Sequence, residues 1–246
     1  MSANTPSITF ILLSHANDKL LEKKIREFVE CKNIIADLLI VDSGNLSRLK
    51  NDVKNLIHSH NIKFIENESN GIYISMNNGI KQINTTHYII LGLDDTFNFY
   101  MLDLIYDELN KNHKDIIFLG VKKGNKKFRD LNVMDLKYNP GDFPSHTAGA
   151  AISKKLHDMN GYYDQKYRVC ADRFFIALSI KNGASITLLN NIFSTIGDQG
   201  FSKQFQFRAE YETHLIRLAM GANYLKSFFI LFSLVCKRFI KMLVFK

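Results

Sequence analysis

Apolar and polar positions alternate along this chain in blocks that have the lengths of strands and helices. Short apolar runs, partly β-branched, are separated by longer stretches in which apolar residues recur every three or four positions. These two patterns are typical of buried strands and amphipathic helices. Strands are predicted at 8–13, 38–41, 63–66, 87–93 and 116–121, and helices at about 18–29, 46–57, 74–83 and 101–110. Such alternation with short links predicts an α/β fold with a mainly parallel sheet covered by helices on both faces.

The pattern weakens after residue 121 and returns near residue 143. Residues 122–140 are polar and charged, which predicts a loop or a weak hairpin. A helix over 172–181 and a strand over 185–189 are expected farther on. With 246 residues, of which 46% are hydrophobic, the chain is long enough to bury the core of one α/β domain.

Polar pairs follow three of the predicted strands at the points where the strands end. They are Ser14-His15, Asp42-Ser43 and Asp94-Asp95. In open α/β sheets, ligands bind beyond the carboxyl ends of the strands. The sequence therefore predicts a ligand site formed by these three pairs.

Each of these aspartates can be interpreted as a ligand-binding residue or as a residue with a purely structural role. Asp94 and Asp95 suit Mg²⁺ or Mn²⁺, because hard cations take oxygen ligands and bridge phosphates; the alternative is an N-cap for the next helix. Asp42 could accept hydrogen bonds from a nucleobase or ribose. Its alternative role is to form the turn of Asp-Ser-Gly.

Two residues of the second half are further candidates. Asp172 precedes an apolar helical stretch and could act as a general base toward a bound sugar; it could equally cap the helix or pair with Arg173. His146 lies in the small-residue loop 144–149, which would let the backbone approach a ligand closely. The alternative for His146 is a solvent-facing or core histidine.

Four segments in order carry a family resemblance. GIYISMNNGI at 71–80 matches a G-I-Y-D-A-M-N-K-G-I element, and LGLDD at 91–95 matches an L-N-S-D-D metal motif. GYYD at 161–164 with AD at 171–172 is similar to G-x-F-D…(E/A)-D, and FSTIGDQGFS at 193–202 resembles F-x-x-G-G-(V/I)-S, although its second Gly comes only after Asp198-Gln199. From about residue 8 to residue 212 the chain thus resembles glycosyltransferase family 2, whose members include builders of bacterial polysaccharides.

The resemblance implies a GT-A-like, Rossmann-like fold of the nucleotide-diphospho-sugar transferases. It also implies an inverting transfer from a UDP- or GDP-sugar to a hydroxyl acceptor, with Mg²⁺ or Mn²⁺ as cofactor. By matching position, Asp172 would be the catalytic base, and Asp95, helped by Asp94, would hold the metal. The donor side would comprise Ser14, Asp42, Gly71, Asn77 and Asp94, and the acceptor side His146, Gly200 and Ser202.

The sequence departs from the family pattern at two donor-side positions, and two other functions stay open. Leu93 stands where a D-x-D motif has its first Asp, and Ile74 replaces the Asp of G-I-Y-D. A sugar nucleotidyltransferase is one alternative, but it would need a Gly-rich loop after the first strand, and residues 14–20 contain no Gly. A non-catalytic binding or scaffold protein on a degenerate fold is the other.

The last 34 residues differ from the rest in charge. Net charge is +8, and six of these charges lie in residues 213–246, which contain no acid. The apolar stretches of 224–246 are too short to span a bilayer, and its lysines fall mainly on one side of a helical wheel. We expect 1–212 to form the transferase domain and 213–246 an amphipathic tail at an anionic membrane surface. A core or dimer helix is the alternative, and no motif indicates nucleic acid.

The expected location follows from the cysteines and the N-terminus. The three cysteines lie far apart without CxxC spacing, which fits a reducing compartment, and residues 1–13 do not have the pattern of a signal peptide. We therefore expect a cytoplasmic protein that is peripheral on the inner face of the cell membrane. Its expected acceptor is a saccharide or a lipid-linked molecule in polysaccharide, lipopolysaccharide or glycolipid assembly.

Overall fold

The first half of the chain folds into strand–helix units, as the alternating pattern predicts. The structure, a computed structural model, describes residues 5–15, 17–31, 35–60, 62–68, 71–124, 126–127, 146–197 and 205–244. The strands of this half are β1 (Ile8–Ser14), β2 (Asp37–Asp42), β3 (Ile62–Glu66) and β4 (His87–Gly92). The helices that connect them are α1 (Asp18–Glu30), α2 (Asn51–Ser59) and α3 (Ile72–Gln82). The Asn17 side chain caps α1 by accepting a hydrogen bond from the Leu20 amide.

The second half adds both strands and helices. Its strands are β5 (Thr96–Phe97), β6 (Ile116–Lys123), β7 (Lys126–Lys127), β8 (Ala150–Ser153) and β9 (Ile186–Ile196). Its helices are α4 (Leu102–Asn112), α5 (Lys155–Asn160), α6 (Ala171–Lys181), α7 (Gln206–Ala219) and α8 (Tyr224–Val244). The weak hairpin expected after residue 121 starts with the pairing of β6 and β7; residues 128–145 lie outside the described ones.

The described strands form one mixed, mostly parallel sheet. Their order is β3-β2-β1-β4-β8-β6-β9-β5, and β7 pairs with β6. Strands β1 to β4 are mutually parallel. Strand β8 is antiparallel to both β4 and β6, while β9 is parallel to β6. Six strands therefore point the same way, so that their carboxyl ends meet at one edge. The predicted α/β class with a mostly parallel sheet is confirmed.

Apolar side chains from both faces of the sheet form two core clusters. One cluster joins the sheet to Leu21 of α1, Val53 of α2 and Ile105 of α4. The other joins it to Met76 of α3 and Phe175 of α6. Helices therefore cover both faces, as the near-continuous apolar strands require.

Two predicted elements have different bounds in the structure. The helix expected from 46 starts only at Asn51, because Asn45 accepts a hydrogen bond from the Ser47 amide and closes a 3-10 turn first. The strand expected to end at 189 continues to Ile196 through a bulge opposite Gly120. A Cβ on Gly120 would lie 2.3 Å from the carbonyl oxygen of Asn191, so glycine permits this bulge.

Helix α8 packs along α7. The Ser227 hydroxyl lies 2.7 Å from His214 Nδ1, and Arg238 forms an ion pair with Glu210. The boundary expected between residues 212 and 213 falls inside α7, and the break between the two helices lies at residues 220–223. In the part of the chain that the structure describes, we find no helix with the length and apolarity that crossing a bilayer requires.

Candidate active site

The carboxyl ends of the parallel strands bring the predicted polar pairs to one edge of the sheet. Ser14 is in register with Asp42, and Leu13 is in register with Gly92. Ser14, Asp42 and the Asp94-Asp95 pair therefore follow three adjacent strand ends. Strand β8 runs the opposite way and starts at this edge, so His146, just ahead of it, lies there as well.

Asp42 is completely buried and paired with an arginine that sequence reasoning did not identify. Arg48 Nη1 lies 2.7 Å from Asp42 Oδ1, and the Gly44 amide donates to the same oxygen at 2.5 Å. Burial raises the pKa of Asp42, but hydrogen bonding from Arg48 and the Gly44 amide outweighs it, so the pKa lies below its usual range. Arg48 also forms an ion pair with Asp18 of α1. Asp42 is therefore a fixed anion at the end of β2.

The two adjacent aspartates have different environments. Asp95 is buried, and its two carboxylate oxygens accept hydrogen bonds from the amides of Gly92 at 2.9 Å and Gly197 at 3.3 Å. Burial raises the pKa of Asp95, while nearby His146 lowers it and Asp94 raises it further. Asp94 is exposed, and its carboxylate lies against the backbone of Gly197. A Cβ at position 197 would lie 2.1 Å from Asp94 Oδ2.

Whether these aspartates suit a divalent metal depends on how many ligands the protein supplies. Among the described residues, no three histidine, cysteine, aspartate or glutamate side chains come together as a metal site. Mg²⁺ and Mn²⁺ sites commonly use one or two carboxylates and take their remaining oxygens from substrate phosphates and water. Asp94 and Asp95 fit that kind of site, in which a nucleotide would complete the coordination.

Asp172 lies in the first turn of α6, half-buried, with a tyrosine as hydrogen-bond donor. The Tyr73 hydroxyl is 2.7 Å from Asp172 Oδ1 and 2.7 Å from the Val169 carbonyl oxygen. Tyr73 lies in the first turn of α3, which follows the carboxyl end of β3. This contact joins Asp172 to the edge of the sheet that also carries Asp42. Tyr73 belongs to the GIY segment at 71–73, but no pattern in the sequence indicates its partner.

The turn before Asp172 is held by a second carboxylate, Glu212 of α7. Glu212 is buried and accepts hydrogen bonds at 2.8–2.9 Å from the backbone amides of Arg168, Val169 and Cys170. Its fourth donor is Arg208 Nε at 2.7 Å. These bonds satisfy amides at the start of α6 and fix the backbone that leads into Asp172.

Asn77 is engaged in a contact within the fold. Its Nδ2 donates to the Tyr163 carbonyl at 2.9 Å, and its Oδ1 accepts from the Tyr163 amide at 3.0 Å. A donor that contacts Asn77 would have to displace one of these bonds. Gly71 immediately precedes α3 at the β3 end of the site. Gly200 and Ser202, expected on the acceptor side, lie outside the described residues.

Comparisons with known proteins give a family and a fold. The model of the family described as "Glycosyl transferase family 2" matches residues 12–170, more than half of the chain. A structure of S. aureus TarS 1-349 in complex with UDP-GlcNAc superposes with a TM-score of 0.66 at 14% identity, covering 90% of this chain and 69% of that one. A longer S. aureus TarS structure gives 0.65 at 14% identity, covering 90% of this chain and 41% of that one.

The structure of a mannosyltransferase shares the fold as well. The mannosyltransferase PcManGT from Pyrobaculum calidifontis, in complex with GDP-Man and Mn²⁺, gives a TM-score of 0.64 at 13% identity. That match covers 88% of this chain and 64% of the other. A sequence search of curated proteins found no match. The expected GT-A-like fold is confirmed by these structural neighbours.

Proposed function

The chain belongs to glycosyltransferase family 2, an enzyme family that transfers a sugar from a nucleotide sugar, and we propose that it inverts the anomeric carbon with Asp172 as general base. The observation that carries the proposal is the common edge that joins Asp42, the Asp94-Asp95 pair and Tyr73-bound Asp172. This reaction needs an anion that binds the nucleoside, oxygen ligands for a cation, and a carboxylate base.

The chemistry follows from these residue types. As the acceptor hydroxyl attacks C1 of the donor sugar, its proton passes to a carboxylate oxygen of Asp172, and the C1–O bond to the diphosphate breaks. A base in this position contributes about 10²–10⁴-fold to the rate. Attack on the face opposite the leaving group inverts C1. Asp42 would accept a hydrogen bond from the nucleoside, and Ser14 would line the same donor side.

Asp94 and Asp95 are the proposed ligands of Mg²⁺ or Mn²⁺. When bound, such an ion offsets the negative charge that the departing diphosphate gathers. Asp94 supplies the more exposed carboxylate, and the two backbone amides on Asp95 hold its carboxylate in one orientation. His146, whose charge acts on Asp95, would lie beside the donor sugar or the acceptor.

The donor is proposed to be a UDP- or GDP-sugar, because the similar structures were solved with UDP-GlcNAc and with GDP-Man. The proposed acceptor is a saccharide or lipid-linked hydroxyl compound, and the pathway is polysaccharide, lipopolysaccharide or glycolipid assembly. A sugar nucleotidyltransferase is a weaker alternative, since Ser14–Leu20 lacks the Gly-rich phosphate loop. Gly71 and Asn77 are the other proposed donor contacts, and at Asn77 the donor would replace one of the side-chain bonds to Tyr163.

The proposed base is tested by Asp172→Asn. The amide cannot take the proton, so release of nucleoside diphosphate from the donor should fall by about 10²–10⁴-fold while donor affinity changes little. Thermal shifts with UDP- and GDP-sugars, with and without Mn²⁺, first identify the donor; a ligand at 100 times its Kd stabilises by about 2.7 kcal/mol.

Asp158→Asn is the matched control, because Asp158 is an exposed aspartate on neighbouring α5. It should keep wild-type turnover. An Asp172→Asn enzyme with an unchanged melting temperature and more than about a tenth of wild-type turnover would remove Asp172 as the base. Failure of every nucleotide sugar to stabilise the protein would contradict the donor assignment.

Helix α8 supports a second part of the proposal, attachment to a membrane surface. Its outward face carries exposed apolar side chains, with Phe229 at 65% and Phe232 at 58% exposure. Lys226 and Lys237 are exposed along one side of that face. Amphipathic helices of this kind lie in the bilayer interface with lysines near lipid phosphates. We assign the protein to the cytoplasmic leaflet, whose anionic lipids attract such lysines.

A further inference from the structure

The hydroxyl of Tyr73 has two acceptors and one proton. It lies 2.7 Å from Asp172 Oδ1 and 2.7 Å from the Val169 carbonyl oxygen, and the side chain is buried. A phenol donates its single proton to one acceptor at a time. Because a bond to an ionised acceptor is the stronger one, Tyr73 donates to Asp172 while that carboxylate is charged. When Asp172 is protonated, the Val169 carbonyl is in place to receive the same donor.

Tyr73 stays a donor throughout this exchange. Burial, and then the charge of Asp172, raises the pKa of the Tyr73 hydroxyl well above its usual value, so the phenol stays protonated. Since the Val169 carbonyl is already within reach, protonation of Asp172 leaves no buried donor without an acceptor. The peptide unit that carries this carbonyl is held in place, because its N–H, on Cys170, donates to Glu212 at 2.9 Å.

We propose that Tyr73 is a positioning residue for the base: its hydroxyl orients the Asp172 carboxylate and favours the ionised form that accepts the proton. This inference rests on the proposed role of Asp172. It adds a residue of α3 to the catalytic arrangement, in the turn that begins directly after Gly71. The hydroxyl acts through Asp172 and need not touch either substrate.

Other ionisable groups lie around Asp172 and its neighbour Cys170, on the elements packed against them. They are Cys170 and Arg173 beside it, Tyr88 on β4, Tyr163 before α6, and Glu212 on α7. Arg173 donates to the Thr213 hydroxyl at 2.6 Å, and Glu212 holds three backbone amides and Arg208. Tyr88 and Tyr163 bond to each other at 3.0 Å. Tyr73 is thus the group among these whose hydrogen bond reaches the carboxylate itself.

The test is the pH dependence of kcat/KM for nucleotide release by Tyr73→Phe. Loss of a hydrogen bond to the charged form raises the pKa of a carboxyl group, so the acid limb of the profile should move up by about 1 pH unit. kcat should also fall, with little change in the KM for the donor. Tyr88→Phe is the matched control, since its buried hydroxyl bonds to His157 and Tyr163; its acid limb should stay in place.

A second variant protects the test against misfolding. Incorporating 3-fluorotyrosine at position 73 makes the phenol a stronger donor with almost the same shape, so the acid limb should move to lower pH. An acid limb that stays fixed in both position-73 variants, or that moves equally in Tyr88→Phe, overturns the inference. Neither result changes the outcome of the Asp172→Asn experiment. The role of Asp172 as the base is contradicted only if the Asp172→Asn enzyme retains its turnover.

Discussion

Two neighbouring aspartates of one motif have separate physical roles at the level of single residues. Asp95 is buried and gives both carboxylate oxygens to backbone amides, which join the end of β4 to the end of β9. Asp94 is exposed and lies against Gly197, where a Cβ would lie 2.1 Å from Asp94 Oδ2 in its present position. A metal held by both would therefore have one ligand built into the fold and one presented at the surface.

This difference gives opposite expectations for two substitutions. Asp94→Asn should leave the free energy of unfolding within about 0.5 kcal/mol of wild type, yet weaken the stabilisation by UDP or GDP that depends on Mn²⁺. Asp95→Asn should itself destabilise the protein by about 1–3 kcal/mol, because an amide nitrogen would face one of the two backbone N–H donors. Thermal unfolding with and without nucleotide and Mn²⁺ measures both effects. Full retention of the Mn²⁺-dependent shift in Asp94→Asn would show that the metal assignment is wrong.

At the scale of elements, helix α7 connects the proposed base to the rest of the molecule. Glu212 points one way, to the three amides that precede α6. Glu210, half a turn away, points to Arg238 of α8. A hydrogen bond from a backbone amide to a buried carboxylate is among the stronger ones in proteins. Helix α7 therefore holds in place the backbone that leads into Asp172.

Glu212→Gln should lower the free energy of unfolding by at least about 2 kcal/mol, because glutamine has one acceptor oxygen where two now serve three amides. Glu210→Gln is the matched control on the same helix. Glu210 is itself buried, but its partner Arg238 is 35% exposed, so this pair is partly screened and its loss should cost less than the loss at Glu212, which holds three backbone amides. Urea titration compares the two variants, and equal losses would contradict the special role of Glu212.

Sequence patterns predicted this part of the fold unevenly. The strand ends with Ser14, Asp42 and Asp94-Asp95 could be predicted, because parallel strands bring their carboxyl ends to one edge whatever their exact pairing. Strand β8, by contrast, is four residues long and inserts antiparallel between β4 and β6. Its length and direction depend on pairing partners distant in sequence, and periodicity carries no information about those.

The same limit applies to the contacts that complete the site. Tyr73 with Asp172, Arg48 with Asp42 and Glu212 with the turn before α6 join separate elements. Each of these residues, taken alone, is an ordinary polar residue of a helix or turn. The resemblance to a family marked Asp172 as the candidate base by its motif. A partner from a distant part of the chain comes near only in the folded protein, so no sequence spacing predicts it.

At the scale of the whole molecule, the C-terminal tail differs in detail from the helix that the sequence predicts. The expected amphipathic helix is present as α8, but Leu231 and Val235 are half-buried, and Arg238 turns toward Glu210. The exposed apolar face is made mainly of phenylalanines. Because α8 packs on α7, a truncation would expose the covered side of α7 as well as remove the proposed membrane-binding face. Point substitutions on its outward face therefore test membrane attachment better than a truncation.

The full chain should sediment with vesicles that contain anionic lipid, and the double variant Phe229→Ser/Phe232→Ser should bind them at least about 10-fold more weakly. Both side chains are more than half exposed, and burying each in the interface should contribute about 1 kcal/mol or more. Lys226→Gln/Lys237→Gln should weaken binding at low salt by a similar or larger factor, at about 1 kcal/mol per lysine. That second loss should disappear at high salt, since charge is screened and apolar contact is not.

Tyr100→Ser provides the control, because Tyr100 is 80% exposed and lies just before α4, outside the tail; it should bind vesicles like wild type. Two results would contradict membrane attachment. Equal partition of the wild type and the phenylalanine variant would show that the outward face of α8 is not the anchor. A dimer in light scattering that dissociates in the phenylalanine variant would instead assign this face to a second copy of the chain, because the same apolar side chains would then be buried between protomers.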